Sequence, residues 1–383
     1  MSPTSEFDDD SRPGLQPRTG LSILKTSDYV TGICLLLMVV VLWTSSNYLT
    51  QQYMFTEGYQ KPFLITYTNT SSFVVYLIPF YLRRLQRDSN GVDYRPLAQD
   101  PSSGNYSPND QVPQLSFNEK SHLTFEETVR LALRFCFIWF AANWAINAAL
   151  AYTSVASATV LSSMSGIFTL AVGRIFRVET VTLVKIGAVL MSIGGVTLIS
   201  VSDSSQDPGP RLMAHAFHLF PIIGDILALL SSFFYAVYLI YLKVQIKDES
   251  RIDMQLFFGF VGLFNILLCW PGALLLHLIG IEHFELPSTR QAVTQMFITF
   301  SSDYIYVIAM LKTTPLVVTI GISLTIPLAV ICDFLLGKAV TGEVVIGALL
   351  ILVGFIVVGT ENSKEGTSHH LIETEEGLQA QLE

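Results

Sequence analysis

Charge is what this chain of 383 residues has least of: Lys, Arg, Asp and Glu make up 14% of it, against 51% hydrophobic residues. A soluble domain carries about 25% charged residues, so much of this surface faces something other than water. Most of the formal charge of −9 sits in the ends, where residues 1–28 hold five acids and three bases and residues 361–383 hold six acids and one base. No basic patch remains to meet nucleic acid. Cysteine is scarce too. Cys34, Cys136, Cys269 and Cys332 all fall in apolar runs without zinc-like spacing, which reads as buried thiols rather than disulfides or ligands. A Gly-rich phosphate loop, paired histidine ligands and a nucleophile elbow are all missing, so the sequence points to no enzyme, no cofactor and no metal site. His122, His215, His218, His277 and His283 lie near the ends of apolar runs or between them, and His369-His370 in the acidic tail. No secretory signal opens the chain; residues 1–28 read as a disordered tail.

What is present is long apolar runs. A membrane-spanning helix needs about 20 mainly apolar residues, and ten candidates meet that length: about 29–52, 62–83, 127–150, 154–176, 180–201, 220–244, 254–279, 292–312, 314–336 and 342–360. The predicted class is an all-α membrane protein of ten transmembrane helices. Residues 84–123, rich in Asp, Ser, Asn and Pro, read as a flexible loop, and 202–219 as a shorter linker. Lys and Arg set the orientation. With the N-terminus cytosolic, Arg83, Arg84, Arg87, Lys120, Arg130, Arg174, Arg177, Lys243, Lys247, Arg251 and Lys312 fall on the cytosolic side. The other side keeps little more than Lys61, Arg211, Arg290 and Lys338. Both termini are therefore expected in the cytosol, with the sequon at Asn105 unglycosylated.

The chain also repeats itself. Laid over each other 160 positions apart, residues 149–199 and 309–359 match without a gap: Ala149, Thr153, Thr159, Ser163, Gly187 and Gly194 fall on Ala309, Thr313, Thr319, Ser323, Gly347 and Gly354. Five spans per half is an odd number, so the copies insert in opposite orientations. The expected domains are two inverted five-helix repeats, 29–201 and 220–360. Repeats of this kind build secondary transporters that bind solute near the midplane.

Polar residues inside the spans are the site candidates, because an ionisable group in hydrocarbon is costly. Asp303 leads, as a proton-coupling group, an anchor for a substrate amine, or a carboxylate holding helices together. The repeat sets Asn143 opposite it. Asn143 and Asn147 share a helical face, as pocket lining or as interhelical glue. Trp43 and Asn47 in the first span, Asn69 in the second, and Tyr235 and Tyr238 in the sixth complete the expected substrate-binding set. Lys312 ends the eighth span as a snorkelling cation or an attraction site for an anion. Glycine and serine stripes, including Gly259 and Gly262, read as close-packing faces. Pro327 favours a kink.

Five stretches carry a family resemblance: LWTSSNYLTQQ (42–52), KPFLITYTNTSSF (61–73), FIWFAANWAINAALAYTSVASATVLSS (137–163), FFGFVGLFNILLCWPG (257–272) and MLKTTPLVVTIGISLTIPLAV (310–330). With them the chain resembles the EamA-type drug/metabolite transporter superfamily, closest to the fungal vacuolar members of solute carrier family 35 subfamily F. The resemblance implies a ten-helix bundle in an intracellular, vacuolar membrane and a solute such as a nucleotide sugar. The eighth span has a shorter apolar lead than in relatives, with Ala292 to Lys312 covering only about 30 Å. The expected partners are a small-molecule substrate, membrane lipid and a second copy of the chain. The expectation from a different class is a non-transporting receptor or scaffold acting through its cytosolic tails.

Overall fold

The computed structural model describes residues 19–57, 61–82, 122–206, 219–284, 290–335 and 340–379. Residues 84–121 of the loop expected over 84–123, with its Asn105 sequon, residues 207–218 of the linker expected over 202–219, and residues 1–18 lie outside the described residues. Ten helical rods make up the described part. They are α1 (Thr19–Glu57), α2 (62–82), α3 (Phe125–Tyr152), α4 (Val155–Ser163 and Ser165–Ile175), α5 (Leu183–Gln206), α6 (Leu219–Ile246), α7 (Met254–Ile279), α8 (Arg290–Lys312), α9 (Pro315–Ile322 and Thr325–Leu335) and α10 (Gly342–Gln379). Nine are long and apolar enough to cross a membrane, and the chain is an all-α membrane protein. The tenth is α8. Its 23 residues give about 35 Å of helix, but Thr294, Gln295, Thr299, Ser301, Ser302 and Asp303 dilute its apolar run.

The helix ends follow from local chemistry. Thr124 and Glu127 close a capping box on α3, with Thr124 N–H donating to Glu127 Oε2 at 2.8 Å. Asp253 accepts from Gln255 N at 3.0 Å and Leu256 N at 3.1 Å to start α7, and Gly280, at φ 79°, ends it in the left-handed region. Pro62 and Pro315 open α2 and α9, where a missing N–H costs nothing. Two of the expected tails are partly ordered. Residues 19–28 continue α1, with Asp28 paired to Lys312 at 3.1 Å, and α10 runs on to Gln379, with Asn362 donating to Thr314 Oγ1 at 3.0 Å. The apolar Leu21, Ile23 and Leu24 and the lack of Pro in both stretches allow the helices to extend.

The 160-residue match has a local structural counterpart. Thr153 N–H donates to Ala149 O and Thr313 N–H to Ala309 O, both at 2.9 Å. Ser154 then caps Ser157 N–H at 3.1 Å, and Thr314 caps Val317 N–H at 3.4 Å. Each following rod breaks in its middle, α4 at Met164 and α9 at Ser323-Leu324. In α9 the break falls where Pro327, lacking an N–H, cannot bond the carbonyl of Ser323, which accepts instead from Ile326 N–H at 3.1 Å.

Packing pairs helices that are distant in sequence. The most extensive contacts join α5 to α10, α3 to α6, α1 to α8 and α2 to α7. Small residues set the closest approaches. A Cβ on Gly262 of α7 would lie 2.2 Å from Val74 N of α2, and one on Gly195 of α5 would lie 2.5 Å from Gly347 O of α10. At this last crossing the matched glycines do not take the same face. Gly347 and Gly354 face α5, whereas Gly187 and Gly194 meet nothing within 4 Å. The residues of α5 on the packed face are Ala188, whose carbonyl lies 2.9 Å from a Cβ on Gly354, and Gly195. The packed positions of α5 thus lie one residue beyond the letters matched in the sequence, a rotation of about 100° around the helix.

Candidate functional site

Three residues of α8, Ser302, Asp303 and Tyr306, reach the middle of the bundle, where α1, α2 and α6 meet that helix. Their spacing of three and four positions puts Ser302 and Asp303 on one face with Tyr306. Asp303 is 5% exposed. The Trp43 indole N–H donates to Ser302 Oγ at 2.9 Å and also faces the Asp303 carboxylate. The Trp43 ring leans on Tyr306, centroid to centroid 5.2 Å. Tyr306 shares a 2.5 Å hydroxyl hydrogen bond with Tyr235. Tyr238 lies edge-on to Tyr235 at 5.2 Å and to Trp139 of α3 at 5.0 Å. From α2, Tyr76 stacks on Phe300 at 4.0 Å and donates to its carbonyl at 3.0 Å. Tyr76 and Tyr238 both lie within electrostatic reach of the carboxylate. Thr319 of α9, its hydroxyl 3.2 Å from that of Thr169 in α4, borders the cluster at Tyr235. Among the described residues no ion pair reaches Asp303. A buried carboxylate with one indole partner, walled by rings, can accept an N–H, hold a proton or face a cation.

Of the eight expected site residues, Asp303, Trp43, Tyr235 and Tyr238 come together here. The amides do not. Asn143 turns back on its own helix, its Nδ2 donating to Trp139 O at 2.9 Å. Asn147 Nδ2 donates to Thr66 Oγ1 of α2 at 2.9 Å, a bond between helices. Asn69 is half-buried, with its carbonyl accepting from the Ser72 hydroxyl at 2.6 Å, and takes no part in the cluster. The side chain of Asn47 is outside the described ones. The sequence reading missed Tyr306, Ser302, Tyr76 and Trp139. Tyr306, one turn beyond Asp303, carried a usable signal.

The bundle is sealed at the end that carries Pro315. Every residue from Pro315 to Gly321 is buried, whereas residues 325–330, in the other half of α9, are all half-buried. Charged residues close the sealed end. Lys185 of α5, fully buried, pairs with Glu365 at 2.7 Å and Glu179 at 3.4 Å and donates to Thr180 Oγ1 at 2.9 Å. Glu179 also accepts from Leu316 N–H at 3.0 Å, at the start of α9. Lys243 of α6 donates to the carbonyls of Met310, Leu311 and Thr313 at 3.2, 2.6 and 2.7 Å, satisfying the open C-terminus of α8. Lys312, expected as a snorkelling cation or an anion-attracting group, is held by Glu249 at 2.5 Å and Asp28. At the opposite end Asp225 accepts from Thr153 Oγ1 at 2.7 Å.

The chain is 42% identical to an uncharacterized transporter of Schizosaccharomyces pombe, over 86% of this chain and 95% of that one. An uncharacterized vacuolar membrane protein of Saccharomyces cerevisiae is 36% identical, over 88% and 92% of the two chains. Solute carrier family 35 member F5 of Bos taurus is 31% identical, over 80% of this chain and 72% of that one. A crystal structure at 14% identity superposes with a TM-score of 0.56, covering 88% of this chain and 98% of that one, which establishes a shared fold. No protein-family model matches.

Proposed function

The chain belongs to the solute carrier family 35 transporters, of the F5 type, and from that membership we propose that it is a secondary active transporter that carries a small organic solute by alternating access, with the Asp303 cluster as its central site. One observation carries the site: a carboxylate 5% exposed, faced by an indole and tyrosines, with no ion-pair partner among the described residues. Burying such a group costs several kcal/mol unless something at the site returns it.

The two halves, 29–201 and 220–360, act as inverted five-helix repeats. The packing supports this, because exchanging the halves turns α3 against α6 into α8 against α1 and leaves α5–α10 and α2–α7 in place. In that arrangement the cluster takes side chains from both halves, Trp43, Tyr76 and Trp139 from the first, Tyr235, Tyr238, Asp303 and Tyr306 from the second. The ladder of buried charges at the Pro315 end acts as a closed gate, and the half-buried lining of residues 325–330 as the open approach. The Lys and Arg asymmetry supports a cytosolic location for the Pro315 end and both termini. Movement of the two halves against each other then opens that end and closes the other. Coupling runs through a proton on Asp303 or through exchange of two solutes. The membrane is intracellular and vacuolar, in keeping with the name of the S. cerevisiae relative.

The test is functional reconstitution. Ligands found by a thermal-shift screen of the purified chain are offered to proteoliposomes, and saturable uptake above protein-free liposomes is expected. A ligand that stabilises the protein yet never crosses would make the chain a receptor and overturn the proposal.

A further inference from the structure

We propose that the Asp303 cluster is a binding site for a monovalent organic cation, the carboxylate facing the charge and the ring faces of Trp43, Tyr76 and Tyr238 covering the rest of the molecule. The proposal rests on the transport function above and names its substrate class.

Charge is the first ground. Asp303 brings a negative group into the bundle, and among the described residues no Lys, Arg or His forms an ion pair with it. A buried charge is stabilised chiefly by an opposite charge, and here that partner has to arrive with the solute. The rings are the second ground. The face of an aromatic ring carries negative charge density, and a desolvated cation over Trp or Tyr gains from it, as in the aromatic cages that hold quaternary ammonium groups. Trp43 leans on Tyr306 at 5.2 Å between centroids, Tyr306 meets Tyr235 through their hydroxyls at 2.5 Å, and Tyr235 lies 5.2 Å from Tyr238.

The third ground concerns anions. A nucleotide sugar, the solute implied by the family resemblance, would bring phosphate charges that need cations. Buried Lys185 and half-buried Lys243 are already committed at the Pro315 end, Lys185 to Glu365 and Glu179, and Lys243 to three carbonyls. Lys312 is held there as well, by Glu249 and Asp28. The central site thus offers a carboxylate and rings and no counter-charge for a phosphate.

The experiment is equilibrium binding to the purified full-length chain in nanodiscs, followed by tryptophan fluorescence and calorimetry. The probes are tetraethylammonium, N-methyl-4-phenylpyridinium and UDP-glucose. Saturable binding of at least one cation is expected, weakened at least tenfold in Asp303→Asn, with no binding of UDP-glucose. Trp43→Phe, which keeps a ring face, is expected to bind within about threefold of wild type, and Trp43→Leu to lose at least tenfold. Both are compared only when monodisperse with an unchanged melting temperature; should the position-43 variants fail to fold, Asp303→Asn decides alone. Absence of cation binding, or cation affinity equal in wild type and Asp303→Asn, overturns the proposal. The same probes offered to proteoliposomes separate the two claims. Uptake of UDP-glucose without cation binding leaves the transporter and removes the cation site, whereas Asp303-dependent cation binding without any uptake keeps the site and removes transport.

Discussion

Lys185 is the most heavily committed charge at the sealed end, and Lys185→Met probes what it holds. The substitution keeps much of the side-chain volume and removes the ammonium. Glu179, whose side chain is 1% exposed, then loses its cation at 3.4 Å, and Glu365 loses one at 2.7 Å. Removing one partner of a buried ion pair costs about 3–5 kcal/mol, because the remaining charge stays desolvated. Glu179 keeps the Leu316 N–H, which places the expected loss at the lower end of that range. For a chain of this size that is a fall of roughly 4 °C in apparent Tm. Glu365→Gln removes only the partner whose side chain is 31% exposed, so its expected cost is about 1 kcal/mol. The measurement is thermal unfolding in detergent of the wild type and the two variants, with labelling of a cysteine placed at Thr313 as a report on whether the end has opened. Lys185→Met should melt earlier and label faster; Glu365→Gln should change both only slightly. Equal melting of Lys185→Met and wild type would refute the claim that these charges close the bundle.

The other predictions follow from single contacts. Gly262→Leu sets a side chain against the α2 backbone, where even a Cβ lies 2.2 Å from Val74 N, and should cost more than about 3 kcal/mol, read as loss of monodisperse protein on size exclusion. Gly187→Leu meets open space and should change Tm by no more than the usual surface substitution, about 0.5 kcal/mol. Asn147→Ala breaks a hydrogen bond to Thr66 and should lower stability by about 1 kcal/mol while leaving solute KM unchanged; a raised KM would return Asn147 to the pocket. Tyr235→Phe removes the 2.5 Å hydroxyl bond to Tyr306 but keeps the ring, so solute affinity measured by calorimetry should fall less than in Tyr235→Ala.

The membrane class, the helix order and the turn at Thr153 and Thr313 were legible because they rest on local chemistry: apolar run length, capping hydroxyls and prolines at helix starts. Asp303 stood out for a related reason, since a carboxylate in an apolar run is costly to bury and has few cheap structural explanations. The amides stayed open between pocket lining and interhelical glue because an amide has cheap ones. Asn143 satisfies itself on a carbonyl four residues back, and Asn147 on one hydroxyl of the next helix. Lys185 gave no signal, since its partner Glu365 lies 180 residues away and only the α5–α10 pairing brings them together. The matched glycines take different faces for a comparable reason. Gly187 and Gly347 match as letters, but a one-residue offset turns a glycine from the packed face to the open one, and identity alone carries no information about which face a small residue takes.

The central claim is that solute crosses at Asp303. Its most direct test is uptake by proteoliposomes holding the wild type or Asp303→Asn, followed over a series of imposed pH gradients with any solute found in the binding screen. Asn keeps the shape and removes the charge. The account predicts uptake reduced at least tenfold in the variant, with any pH dependence of the wild type abolished. Uptake by Asp303→Asn at the wild-type rate, with the same response to pH, would contradict it.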